Sequence, residues 1–151
     1  MSVIAPPILE HIADLVAWVA PPTVISGSRR VIGITGGEVR GPKIRGKVLP
    51  GGADFQVIRP DSTTELEARY ILQTDSGKLI FVVNTGYRHG PPEAMERLQR
   101  GEMVDPTLIY FRCTPRFETD APEYQWLTKH VFVGTAARHP DRVEIAFYQV
   151  L

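Results

Sequence analysis

Apolar and polar residues alternate with a period of two through most of this chain, in short runs punctuated by glycine and proline. That period marks strands with one buried face. From Ala53 to Arg59, Ala53, Phe55 and Val57 alternate with Asp54, Gln56 and Ile58; from Leu66 to Thr74, Leu66, Ala68, Tyr70 and Leu72 alternate with Glu67, Arg69, Ile71 and Gln73. The turn Asp75-Ser76-Gly77 then leads into Leu79 to Asn84, which predicts a hairpin. Further strands are expected over Arg30 to Thr35, Thr107 to Thr114, Gln125 to Thr135 and Arg142 to Leu151, the last suited to close a sheet against the N-terminal segment. Strands this short and this regularly spaced predict an all-β sandwich or barrel.

Two stretches depart from the pattern. Residues 8 to 20 place Ile8, Ile12, Leu15, Val16 and Val19 at helical spacing, yet Leu15, Ala17 and Val19 alternate with Val16, Trp18 and Ala20 equally well. Pro92 to Arg100 offers good helix formers behind a proline suited to a first turn, with Gly101 placed to end the helix. Its Ala94, Met95 and Leu98 form a stripe able to cover a barrel mouth, or it is a plain surface crossover. Neither a repeat nor a linker divides the chain, which predicts one domain over residues 1–151.

Glycines at 36, 37, 41, 46, 51 and 52 crowd the stretch from Gly36 to Gln56. From Gly41 it has the G-x-x-x-x-G-K spacing of a phosphate-binding loop, but Val48 stands where a magnesium-binding hydroxyl is required. Leu49-Pro50-Gly51-Gly52 also forbids the helix such a loop must enter. The glycines therefore mark tight turns and sharp bends between short strands.

GGEVRGPKIRGKVLPGGADFQVIRPD, with LEARYILQTDSG, YFRCTPRFET and WLTKHVFVG following in order, resembles the DUF3237 family, also called UPF0311. The resemblance runs from about Ser26 to Leu151. It implies a single antiparallel, calycin-like β-barrel with one short helix, and a strand rather than a helix over Ala13 to Ala20. The GAD and ARY elements, holding Asp54 and Arg69, are among the residues that carry it. Thr128 stands where the family pattern favours Asn, which weakens any transfer of a hydrogen-bonding role to that position.

Composition narrows the classes of partner. With 17 basic and 17 acidic residues the chain is formally neutral, so nothing draws it generically to nucleic acid or an anionic membrane. A small-molecule ligand is the expected partner. Several strands, such as Ile109 to Cys113 and Val131 to Val133, are apolar on both parities, which predicts a homo-oligomer that covers the outer face. The single cysteine, Cys113, cannot form an internal disulfide, and the scattered His11, His89, His130 and His139 suggest no metal site. No basic leader segment and no apolar run of about 18 residues is present, which predicts a cytoplasmic protein.

Candidate chemistry gathers in three places. If the first two strands put their apolar parity on one side, Asp54, Gln56 and Arg69 share the other face. That face is either solvated surface or a pocket wall in which arginine keeps the carboxylate ionised. Arg112 lies inside an apolar run and, if buried, needs a partner such as Asp54 or Glu118; it then anchors a ligand carboxylate or enolate oxygen, or forms a structural ion pair. Pro115 is expected to break that strand and leave Phe117, Glu118 and Thr119 at its lip. Trp126 is a core plug or an aromatic wall, sharing strand parity with Thr128 and His130, and the loop Asn84 to Gly90 can rim a pocket.

These readings combine into a cofactor-independent enzyme that performs proton transfer of isomerase, cyclase or lyase type on a carbonyl- or carboxylate-bearing substrate. Asp54 or Glu118 would move the proton, Arg69 or Arg112 would stabilise the oxyanion, and Gln56, Trp126 and Thr128 would complete the site. The alternatives are a non-catalytic carrier of small hydrophobic ligands, or an interaction module with a filled barrel.

Overall fold

A computed structural model describes residues 3–151 as a closed antiparallel barrel of eight strand positions with short helical connections. The strands are β1 (Leu9–Val19), β2 (Thr23–Ser26), β3 (Arg29–Arg40), β4 (Gly46–Val48), β5 (Gly52–Ile58), β6 (Thr64–Thr74), β7 (Leu79–His89), β8 (Tyr110–Glu118), β9 (Phe132–Arg138) and β10 (Arg142–Val150). Helix α1 (Pro92–Gln99) joins β7 to β8, and 3-10 turns cover Pro106–Leu108 and Pro122–Thr128. No helix among the described residues is long and apolar enough to cross a membrane.

β1 closes the barrel. It pairs with β10 from Leu9 to Trp18 and with β3 from Asp14 to Val19. Its register shifts between His11 and Ala13, so Ile12 and Ala13 are both buried. One inserted residue changes the parity of the strand. The apolar residues on either side then fall at helical intervals, which is why the segment reads equally well as a helix.

The glycine-rich stretch builds the opposite wall. β3 does not stop at its glycine pair; it runs through Gly36 and Gly37, pairing first with β5 and then with β4. β4 and β5 both pair with β3 and β6, so together they fill one position of the barrel, interrupted at Leu49–Gly51. Gly37 is obligatory there: a Cβ would lie 2.0 Å from the Val16 carbonyl oxygen of β1.

The interior has two halves. An apolar plug holds Leu72, Ile80, Leu127, Phe132 and Phe147, with Phe117 edge-on to Phe132 at 5.1 Å between centroids. Leu127 reaches this plug from the 3-10 turn, so the strand expected from Gln125 begins only at Phe132. Pro122 opens that turn and the Gln125 amide donates to the Thr119 carbonyl, holding the segment off the sheet. At the other half, polar side chains turn inward, and α1 packs there through buried Ala94, Met95 and Leu98. Arg30 ties the helix end to the barrel by donating to the Gln99 carbonyl at 3.4 Å.

Candidate functional site

The polar half of the lumen is built by residues at the ends of strands whose apolar parity has already been fixed. On β7 the inward positions are Ile80, Val82, Asn84, Gly86 and Arg88. On β3, Arg30 precedes Ile32 and Ile34; on β9, Arg138 follows Phe132, Gly134 and Ala136. β5 supplies the acid, because its inward parity is the polar one: Asp54 and Gln56 face the lumen while Phe55 is exposed outside.

A hydrogen-bonded chain crosses this space. Arg30 Nε donates to Gln56 Oε1 at 2.8 Å, and Gln56 Nε2 donates to Asp54 Oδ2 at 2.8 Å. Asp54 Oδ1 accepts from the Glu67 backbone N–H at 3.1 Å. Burial holds the Asp54 carboxyl above the ordinary carboxylate range, although Gln56, Arg88, the Glu67 amide and Arg30 all pull the other way. A carboxyl so placed is a stronger base than an ordinary carboxylate.

Arg88 is fully buried against the Phe111 ring, 5.3 Å from its centroid, and burial draws its guanidinium down to about 10, leaving it charged at neutral pH. Tyr70 is buried, and burial pushes its phenol well up. Tyr70 and Asn84 face the same cavity, where the Asn84 side chain acts on the phenol. The free space between these groups is about 50 Å³, room for a few heavy atoms.

The structure brings some of the expected site residues to the lumen and places others, the two arginines among them, elsewhere. Asp54 and Gln56 do line the lumen. Arg69 does not: Asp54 pairs across from Ala68 and Arg69 from Ala53, so Arg69 points outward, near Glu67 at 3.7 Å. Phe55 and Val57 take the outer parity of β5, which inverts the assumption that placed Asp54 and Arg69 together. Arg112 is likewise outside, over the Tyr110 ring, because Phe111 and Cys113 take the inner parity of β8. Glu118 is exposed at the plug end of β8, and Pro115 sits within that strand without ending it. Thr128 and His130 are exposed beyond any strand; the Thr128 hydroxyl donates to the Gln125 carbonyl. Trp126 packs on Phe132 beneath Lys43, at the plug end rather than at the polar lumen. Asn84 to His89 is strand, so it walls the lumen where a rim loop was expected. Cys113 is buried, its thiol pushed up to about 11 by burial, and so is a wall residue rather than a nucleophile.

Comparison with known proteins places this geometry in a family. The model for a protein of unknown function, DUF3237, matches residues 7–150. The chain belongs to the DUF3237 family. A UPF0311 protein of Rhodopseudomonas palustris (strain TIE-1) is 59 % identical over 83 % of this chain and 82 % of its own length. The DUF3237 barrel superposes on the crystal structure of a conserved protein of unknown function from R. palustris with a TM-score of 0.95, at 50 % identity, over 99 % of this chain and 100 % of that one. A structure described as an enzyme from Penicillium herquei matches with a TM-score of 0.73 over 100 % of this chain and 99 % of that one. At 22 % identity it shares the fold alone with the present DUF3237 chain.

Proposed function

We propose that the barrel is a cofactor-independent enzyme that moves a proton on a small carbonyl- or carboxylate-bearing molecule, in a reaction of isomerase, cyclase or lyase type. The observation that carries this reading is Asp54, a carboxyl of raised pKa fixed by Gln56 and the Glu67 amide beside the buried Arg88 guanidinium. In the proposed step, the Asp54 carboxylate takes a proton from carbon next to the substrate carbonyl and becomes a carboxylic acid. The C–H electron pair moves onto the carbonyl oxygen, and the resulting enolate is stabilised by the positive field of Arg88 and Arg30. Asp54 then returns the proton at a different atom and is ionised again. A carrier fits less well, since about 50 Å³ is far below the roughly 300 Å³ or more of an enclosing ligand pocket. Only the reacting group of a ligand would enter.

The test is proton exchange. The protein is incubated in D2O with a panel of small ketones, keto acids and enones, and carbon-bound deuterium is followed by NMR. Enzyme-dependent exchange into at least one compound is expected, and its loss in Asp54→Asn. Exchange that persists undiminished in Asp54→Asn would remove the reading.

We also propose that the outer face assembles copies of this chain. A concavity of about 930 Å³ is lined by exposed Phe55, Tyr87 and Tyr110 together with Arg29, Arg112, Glu65 and Glu67. Opposite charges on one apolar patch make it complementary to itself under a two-fold axis. Size-exclusion chromatography with light scattering should show a dimer or larger species at micromolar concentration; a monomer would refute the proposal.

A further inference from the structure

We propose that the polar lumen binds its ligand through a carboxylate seated on Arg88. This narrows the substrate class given above and rests on that reading for its chemistry, although binding itself requires no turnover. Three guanidinium groups, Arg30, Arg88 and Arg138, act on one another and on Asp54, and the one further carboxyl that acts on Arg138, Asp141, is exposed. Two of the three are satisfied by protein acceptors. Arg30 donates to Gln56 and to the Gln99 carbonyl, and Arg138 donates to the carbonyls of His139 and Arg142. Arg88 is 0 % exposed, and Nε, Nη1 and Nη2 all lack an acceptor among the described residues.

A buried guanidinium is tolerated when its donors are met. Asp54 acts on Arg88 only through its charge: Gln56 and the Glu67 amide hold the carboxyl out of hydrogen-bond reach of all three Arg88 nitrogens. What remains is an acceptor brought into the cavity that Arg88 lines. The excess of positive charge there selects an anion. The small volume and the planar donor fork select a carboxylate, which a guanidinium binds through two parallel hydrogen bonds. The Phe111 ring packs against the Arg88 guanidinium, 5.3 Å from its centroid. Arg88 thereby takes the anchoring role that sequence reasoning gave to Arg112.

Thermal shift and calorimetric titrations of the full chain test this at fixed ionic strength, with acetate and pyruvate against acetamide and inorganic phosphate. Acetate or pyruvate should raise the melting temperature by about 5–10 °C at a hundredfold excess over Kd, and acetamide should not. Arg88→Met should weaken carboxylate binding at least about thirtyfold, and Arg88→Lys, which keeps charge but not the fork, should weaken it less. Equal shifts from acetate and acetamide, a response to phosphate alone, or undiminished acetate binding by Arg88→Met would each overturn the inference. If Arg88→Met does not fold, the acetate and acetamide comparison on the native chain and the Arg88→Lys titration still decide. Carboxylate binding through Arg88 without proton exchange on any keto acid would leave this inference standing and sink the catalytic reading; exchange on neutral ketones with carboxylates ignored would do the reverse.

Discussion

Asp54→Asn should lower proton-transfer turnover by about 10²–10⁴-fold while leaving ligand binding nearly intact. Asparagine has one oxygen where Asp54 has two, so it keeps the contact from Gln56 Nε2, and with it the chain to Arg30, by giving up the one from the Glu67 amide. What is lost is the site that takes the proton. In the native chain the rate should fall on the acid side of a pH profile whose midpoint lies above the ordinary carboxylate range, since burial raises this carboxyl. Removing Arg88 takes away a charge that favours ionised Asp54, so Arg88→Met should move that midpoint higher still. The same shift has a signature in stability. A carboxyl whose folded pKa is raised is most stabilising when protonated, and its contribution falls as pH rises from about 3.9, the unfolded value, through the folded value. Asp54→Asn should flatten that part of the stability curve, measured by urea denaturation across pH. An unchanged curve with an unchanged rate would show Asp54 to be only a wall residue.

Gly37→Ala should be among the most destabilising single methyl additions in the chain, costing more than about 4 kcal/mol and in practice preventing the barrel from closing. Its Cβ would lie 2.0 Å from the Val16 carbonyl oxygen and 3.1 Å from the Ala17 Cα, both backbone atoms that cannot swing away. The clash falls on the β1–β3 seam, the contact that turns a sheet into a barrel. Gly51→Ala is the control. A Cβ there meets nothing within 4 Å, and only its φ of 106° is unfavourable, so the cost should be near 1 kcal/mol. Comparable midpoints for the two variants in denaturant titrations would show that the seam can separate without loss of the fold.

Much of this architecture is legible in the residues. Alternation locates β6, β7, β8 and β10 and the hairpin at Gly77, and α1 ends within a residue of its expected limit. β1 is ambiguous because the bulge after His11 changes its parity midway. Asp54 and Gln56 stand out as site candidates, but the arginines are misassigned for one reason: apolar parity points inward in β6 and outward in β5. Phe55 is 39 % exposed while Gln56 is 1 % exposed, and no local rule of hydrophobicity anticipates that reversal. Arg30, Arg88 and Arg138 were nonetheless within reach. Continuing the inward register of Ile80 and Val82, Ile32 and Ile34, or Phe132 and Gly134 to the polar end of each strand arrives at them.

The same strands therefore serve two purposes along their length. β7 contributes Ile80 and Val82 to the plug and Asn84 and Arg88 to the lumen; β9 contributes Phe132 to one and Arg138 to the other. Leu72, Ile80, Leu127, Phe132 and Phe147 of the plug lie away from the cavity, whereas Leu15, Ile34, Tyr70 and Ile145 belong to the core and to the cavity wall at once. Mutational drift at the polar ends is thus buffered by a reserve held elsewhere. A lineage carrying this barrel could exchange one ligand for another by replacing a handful of inward side chains, with the folding pathway and the closed seam inherited unchanged.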